Sequence, residues 1–264
     1  MIKLALIQIK VHKDKNINLK RAEMGIKEAA KNGAEIICLP EMFNCPYDNN
    51  YFVKFAETYP NGDTIKMLAK AASENNVFII GGSIPERYQD KLYNTCFIFN
   101  QKGEMSGRYR KIHLFDVDLK GMRFYESDTL SPGSDITIVD TGKIKLGIAI
   151  CYDMRFPELM SLYAKKGVQM MVIPAAFNTI TGPAHWEVLL RARAIDNQVF
   201  VAAISPARDE TASYVAYGDS MVVGPWGNII TKAGIDEEII YADIDLSIEE
   251  EIRKRIPLLK NRRM

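Results

Sequence analysis

The sequence predicts an α/β protein in which two sheets pack face to face with helices outside, a four-layer αββα sandwich. Three observations lead there. Six short apolar segments read as buried strands, three in each half of the chain: residues 2–9, 35–40 and 77–84, then 144–150, 168–173 and 199–204. Their near-continuous apolar character is that of strands covered on both faces. Helical segments alternate with these strands, but β-hairpins interrupt the alternation, which argues against a simple parallel wind. No Ser-, Gly- or Pro-rich linker divides the 264 residues, so residues 1–264 read as one domain with a large core. A doubly wound three-layer fold is the competing arrangement.

Taken in order, residues 2–9 form the first strand, and residues 16–32 a helix with Leu19, Ala22, Ile26 and Ala29 at helical spacing and Gly33 to stop it. Residues 35–40 (EIICLP) are a strand that ends at Glu41. Asp63 is placed to cap a helix running to about Asn75, with Ile65, Leu68, Ala69 and Ala72 on one face. Residues 77–84 are a strand broken at Gly81-Gly82. Residues 92–100 and 105–110 flank Gln101-Lys102-Gly103-Glu104 as a hairpin, and Lys111 stands at its end. A long polar loop follows, carrying His113, Asp116, Asp118 and Glu126 up to Ser131-Pro132-Gly133.

Residues 136–139 and 144–150 make a hairpin around Thr141-Gly142-Lys143, and its second strand runs directly into Cys151. Pro157 suits the first turn of a helix ending near Gly167. Residues 168–173, 184–198 and 199–204 are a strand, a helix and a strand; 219–223 and 228–232 form a hairpin over Pro225-Trp226-Gly227; and 239–244 is the last strand. Ser247-x-x-Glu250 reads as a capping box for a final helix that Pro257 closes, leaving residues 260–264 as a basic tail that is solvated or crosses to a neighbouring subunit.

Composition narrows the function. A formal net charge of +1 argues against a nucleic-acid binder driven by bulk electrostatics. No apolar run approaches the roughly 20 residues of a membrane helix, and the short apolar start (MIKLALIQI) lacks a small-residue cleavage site, so it reads as a strand and not a signal peptide. Cys38, Cys45, Cys96 and Cys151 show no C-x-x-C spacing and read as free thiols of a cytoplasmic protein. His12, His113 and His185 are scattered, without the spacing of a zinc site, so no metal is expected.

Three ionisable groups fall at strand ends: Glu41, Lys111 and Cys151. Ligands of open α/β folds bind at the carboxyl ends of strands, where a thiol is placed as a nucleophile. A thiol with an ordinary pKa of about 8.5 is mostly protonated at neutral pH. A neighbouring ammonium favours the thiolate, and a carboxylate within reach takes its proton. Each residue alone reads more simply as a buried small side chain or a solvated charge; the combination is what suggests chemistry.

The stretches LPEMF around Glu41, YRKIHLFD around Lys111 and GIAICYDMRFPE around Cys151 resemble the nitrilase (carbon–nitrogen hydrolase) superfamily, and the resemblance runs through essentially the whole chain. The segment from Ala175 to Arg208, with ASYVAYGDSMVVGPWG after it, looks most like the ω-amidase branch, whose members hydrolyse the terminal amide of 2-oxoglutaramate and 2-oxosuccinamate. The resemblance implies an αββα sandwich that forms homodimers or higher homo-oligomers through helices on one face, needs no cofactor and takes a small-molecule amide. Carried over by position, Cys151 is the nucleophile, Glu41 the general base and Lys111 the cation that holds the tetrahedral intermediate. Glu126 matches the family's second glutamate, and the backbone N–H of Tyr152 completes the oxyanion hole with Lys111. Arg155 is the candidate for a substrate carboxylate, its alternative being an ion pair with Asp153 or Glu158. Phe177, Thr179, Thr181 and Tyr47 are candidates for the pocket wall. His113 and His185 read as structural. The chain departs from its relatives at Gly218-Asp219-Ser220, where they carry Gly-His-Ser.

Rival readings are a papain-like pair of Cys151 with His185, a deaminated glutathione amidase or other amidase of the superfamily, and a non-catalytic binding or scaffold protein with the same fold. Nitrilases that act on nitriles commonly carry Trp-Glu after the cysteine, where this chain has Tyr152-Asp153.

Overall fold

The structure, a computed structural model, describes residues 1–263. The first half contains β1 (Ile2–Gln8), α1 (Lys15–Lys31), β2 (Ile36–Cys38), α2 (Asn49–Phe55), α3 (Asp63–Asn75), β3 (Phe78–Ile80), β4 (Ile84–Tyr88), β5 (Lys91–Phe99) and β6 (Met105–Arg110). A small ribbon of β7 (Asp116–Leu119) and β8 (Met122–Tyr125) follows. The second half contains β9 (Thr137–Asp140), β10 (Lys145–Ile148), α4 (Pro157–Lys165), β11 (Met170–Pro174), α5 (Gly182–Asn197), β12 (Phe200–Ile204), β13 (Met221–Val223) and β14 (Ile229–Lys232). β15 (Glu238–Ile244), α6 (Leu246–Arg255) and α7 (Leu258–Asn261) close the chain.

Two sheets result, each built on three parallel strands. One has the order β15–β1–β2–β3–β5–β4 with β6 on β5; the other runs β14–β13–β12–β11–β10–β9. In the first, β1, β2 and β3 are parallel, and in the second β10, β11 and β12 are. The period of two along a strand sorts the first sheet's side chains. Leu4, Leu6, Ile36, Cys38 and Ile98 face inward and share a core with Ile148, Val172 and Ala202 of the second sheet. Ala5, Ile7, Ile37, Leu39 and Phe97 face outward onto Ile26 and Ala29 of α1 and Leu68 and Ala72 of α3. On the other side α4 and α5 bury Tyr163, Trp186 and Leu190 against the second sheet. Gly147 lets α4 close on β10, since a Cβ there would lie 2.8 Å from Met171 Sδ and 2.9 Å from the Tyr163 ring. Each fully buried Leu or Ile contributes about 1.5–3 kcal/mol against the entropy of ordering the chain. The four-layer αββα arrangement is therefore the one adopted, not the three-layer alternative.

Several local expectations differ. Asp63 is the first residue of α3 and not its cap. The buried carboxylate of Glu57 takes that role from the preceding loop, accepting from Thr64 N–H at 2.9 Å and from the Thr64 hydroxyl at 2.6 Å. Ser247 is likewise inside α6, and Asp245 caps it by accepting from Ser247 N–H at 3.0 Å. The polar stretch after Lys111 is not an open loop, because β7 and β8 pair within it in antiparallel register. The basic tail docks on its own chain: Arg262 Nη2 donates to the Asp196 carbonyl at 2.7 Å, beside the end of α5. Met264, the last residue of that tail, lies outside the described residues. No helix among the described residues is long and apolar enough to cross a membrane.

Candidate active site

Four chain segments converge at the carboxyl ends of β2 and β10. Glu41 lies three residues beyond β2, where the backbone is gripped from the side. Ser83 N–H donates to the Pro40 carbonyl at 3.2 Å, and Met42 N–H donates to Ser83 Oγ at 3.1 Å. Gly82 makes this approach feasible; at φ +58°, a Cβ there would sit 2.2 Å from the Pro40 oxygen. Lys111 follows β6 directly, its N–H donating to the Asn94 carbonyl of β5 at 2.8 Å and its carbonyl accepting from Gly133 N–H at 2.8 Å. Glu126 opens a single 3₁₀ turn after β8, and its Oε2 accepts from Phe115 N–H at 2.6 Å.

Cys151 sits on a sharp elbow. β10 ends at Ile148, and Cys151 begins a 3₁₀ turn with φ +47°, in the left-handed region that costs a non-glycine residue about 1–2 kcal/mol. Asp153, fully buried, holds that strain. Its Oδ2 accepts from Ile150 N–H at 2.9 Å and from the Tyr109 hydroxyl at 2.7 Å. Its Oδ1 accepts from His113 N–H at 2.9 Å and meets His113 Nδ1 at 2.7 Å. Asp153 is thereby fully engaged, and Arg155 has no share in it. The first backbone bond of the turn runs from Asp153 N–H to the Ile150 carbonyl at 3.0 Å, so Tyr152 N–H precedes it and has no partner within the turn.

The charged groups form one buried cluster. Lys111 Nζ lies 2.8 Å from Glu41 Oε1, 2.9 Å from Glu126 Oε2 and 3.4 Å from the Tyr47 hydroxyl. Lys111, Glu41 and Glu126 are all 0 % exposed, so their attraction is little screened. Burial, which the Lys111 ammonium opposes and Glu126 assists, raises the Glu41 pKa above the ordinary carboxylate range. The two glutamates hold Lys111 well above the usual lysine value although burial pulls it down. Burial and Glu41 push the Cys151 thiol well above its usual value, and they outweigh Lys111 and the Ala176 backbone. Lys111 does favour the thiolate, as the sequence suggested, but burial and Glu41 outweigh it. The resting group is a thiol beside a carboxylate whose basicity burial has increased.

The other candidates divide. Tyr47 is part of the cluster as well as of the wall: its hydroxyl donates to Glu126 Oε1 at 2.8 Å while its ring stacks on Tyr214 at 4.6 Å. Arg155 Nη1 lies 3.1 Å from His185 Nδ1, and its guanidinium sits 4.8 Å over the Phe177 ring. Its Nε is buried without a partner. Phe177 also packs on Trp186 at 5.0 Å, so it supports Arg155 from below. Thr181 precedes α5 and donates its hydroxyl to Asn178 Oδ1 at 3.1 Å, whereas Thr179 is exposed on the rim of an open cleft of about 300 Å³ that also borders Tyr47, Arg123 and Tyr214. A smaller cavity of about 50 Å³ is lined by Glu41, Tyr47, Tyr214, Ala176 and Ala207.

Sequence reasoning missed Asn94 and Tyr214. Asn94 Nδ2 donates to Glu41 Oε1 at 2.8 Å and to Glu126 Oε1 at 3.3 Å, and Tyr214 donates its hydroxyl to the Ala176 carbonyl at 2.5 Å. The one available signal for Asn94 was a polar side chain within the apolar run of β5. Asp219 pairs with Lys232 at 2.9 Å, and its carbonyl accepts from Trp186 Nε1 at 2.7 Å. Among the described residues no group of three or more His, Cys, Asp and Glu side chains is placed to hold a metal.

Comparison with known proteins gives one consistent result. The carbon-nitrogen hydrolase family model matches residues 3–254. The chain is 54% identical to omega-amidase NIT2 of Mus musculus over 262 residues, covering 99% of this chain and 95% of the mouse protein. It is 52% identical to omega-amidase NIT2 of Homo sapiens over the same shares. Among solved structures it resembles Saccharomyces cerevisiae Nit3, a member of branch 10 of the nitrilase superfamily, with a TM-score of 0.92 and 45% identity, covering 100% of this chain and 97% of the yeast chain.

Proposed function

This chain belongs to the carbon–nitrogen hydrolase family as an enzyme acting on amides, and we propose that it is an ω-amidase, cleaving the terminal amide of small dicarboxylate monoamides such as 2-oxoglutaramate, 2-oxosuccinamate and succinamate. The observation that carries the reading is the buried set of Cys151, Glu41 and Lys111, in which the thiol meets a carboxylate of raised basicity beside a fully desolvated cation. Relatives that share half of its residues bear the same activity in their names.

Glu41 takes the thiol proton as Cys151 sulfur attacks the amide carbon, so no free thiolate accumulates beforehand. The carbonyl oxygen gains the negative charge and is held by Lys111 Nζ and Tyr152 N–H, each such donor being worth about 3–4 kcal/mol. Protonated Glu41 gives its proton to the departing nitrogen, ammonia leaves, and a thioester remains on Cys151. Glu41 then takes a proton from water as the water attacks that thioester. The carboxylate product is released, and the sulfur recovers its proton. Glu126 and Tyr47 keep Lys111 aimed throughout.

Arg155 supports the preference for an acidic substrate. Its guanidinium rests on Phe177 and leaves most of its donors unspent, including a buried Nε, and the fork of a guanidinium matches a carboxylate. His185 faces Arg155 rather than serving as a base for sulfur. The four buried free thiols suit a reducing compartment, which we take to be the cytoplasm. Ammonia release from a panel of amides tests the reading: turnover of 2-oxoglutaramate and succinamate should exceed that of propionamide and aliphatic nitriles. Arg155→Ala should lower kcat/KM for succinamate by roughly 2–5 kcal/mol and that for propionamide far less. Equal losses would remove Arg155 from the substrate site.

A further inference from the structure

The two oxygens of Glu41 are treated unequally. Oε1 receives Lys111 Nζ at 2.8 Å, Asn94 Nδ2 at 2.8 Å and, more distantly, the Tyr47 hydroxyl at 3.5 Å. Oε2 is buried and accepts no hydrogen bond. A carboxylate surrounded only by a lysine has no reason to choose between its oxygens, because an ammonium can bridge both. Asn94 breaks that symmetry. It is fully buried in β5, and its amide spans the two glutamates through a single nitrogen, at 2.8 Å from Glu41 Oε1 and 3.3 Å from Glu126 Oε1. The reverse amide orientation would set Oδ1 against both carboxylates, so these oxygens dictate which way it points. The observed orientation leaves Asn94 Oδ1 buried without a partner, an energetic cost the rest of the fold tolerates. The backbone of the same residue holds Lys111, whose N–H donates to the Asn94 carbonyl at 2.8 Å.

We propose that Asn94 is a positioning residue: it ties Glu41 Oε1 to the lysine cluster and so leaves Oε2 as the oxygen that takes the Cys151 proton and later hands it to the leaving amine. The inference rests on Glu41 being the base, as read above. The groups facing Glu41 are Lys111, Glu126, Tyr47, Cys151 and the Tyr214 hydroxyl side of the pocket; of these only Lys111 carries positive charge. An N–H donated to a carboxylate favours its charged form, so losing the Asn94 donor raises the pH at which Glu41 ionises.

The test follows alkylation of Cys151 by iodoacetamide against pH in the intact enzyme, which needs no assumption about substrate. In the wild type the acid limb of the alkylation rate reports Glu41. Asn94→Ala should move that limb up by about one pH unit and lower kcat for succinamate about tenfold, with KM changed less than about twofold. Asn94→Asp, which keeps the shape and so survives if the alanine variant does not fold, adds a third carboxylate and should move the limb further in the same direction. Glu41→Gln should abolish the limb. A limb that vanishes in Glu41→Gln yet stays in place in the Asn94 variants overturns the role of Asn94 and leaves the reaction standing. A limb unchanged in Glu41→Gln overturns Glu41 as the base, and the role of Asn94 with it.

Discussion

At the scale of single residues, the site is a cluster of charges removed from water. Glu41→Gln and Lys111→Met should each lower turnover by two powers of ten or more. A neutral amide cannot accept the thiol proton, and loss of one oxyanion donor from a water-excluded site costs about 3–4 kcal/mol. A variant retaining more than about a tenth of wild-type turnover, a loss of only about 1.4 kcal/mol, would refute the role assigned to that residue. Because burial raises the Glu41 pKa, the acid limb of kcat/KM should lie above the ordinary carboxylate range, activity falling as pH drops and Glu41 becomes protonated. Glu41, Lys111 and Cys151 were legible in the sequence as charges and a thiol interrupting apolar runs at strand ends. Asn94 offered only a polar side chain inside the apolar run of β5, next to the equally polar Thr95, and neither a charge nor a place at a strand end marked it out. The net direction of the Cys151 shift was not legible, since it depends on burial that a sequence does not display.

At the scale of elements, accuracy at the site depends on how strand ends and caps are held. The apolar periods located the strands and most helices, since burial on one or both faces leaves a direct pattern. Caps were harder. Asp63 and Ser247 stand where a local rule puts them, yet Glu57 and Asp245 do the work. Glu57 stands seven residues before Thr64, beyond the four-residue span of a local capping rule. Its carboxylate also takes the Lys15 ammonium of α1 at 2.9 Å, tying α1 to α3. Glu57→Ala should therefore destabilise the protein by about 2–4 kcal/mol, between the loss of a cap and the breaking of a buried ion pair. Thermal unfolding should show the loss while turnover per folded molecule at 25 °C stays near wild type. An unchanged Tm would mean that neither helix relies on Glu57. The β7–β8 ribbon was hidden for a different reason: its short, mixed-polarity strands look like loop.

At the scale of the whole molecule, the sandwich places three parallel strands of each sheet side by side and brings Glu41 and Cys151 to the same end although 110 residues separate them. That convergence was readable only as a possibility from two sets of three apolar strands, and the inward and outward sorting of Leu4 and Ala5 fixes it. The outer layer carries a second message. Val188 is 66% exposed and Ile195 44% exposed, seven residues apart and so on one face of α5, with Leu162 of α4 40% exposed. We propose that this face forms the homodimer contact. Sedimentation should give twice the mass of the chain, and the double variant Val188→Glu, Ile195→Glu should sediment as a monomer. A monomeric wild type, or a dimer indifferent to both charges, would exclude this face.

The central claim is that amide cleavage passes through a thioester on Cys151. Mass spectrometry of enzyme quenched during turnover of succinamate tests it most directly. The mass should rise by that of the succinyl group less one hydrogen, the adduct should map to Cys151 and to none of Cys38, Cys45 or Cys96, and Cys151→Ala should show neither adduct nor ammonia release. An adduct on another cysteine, or full turnover by Cys151→Ala, would contradict the account.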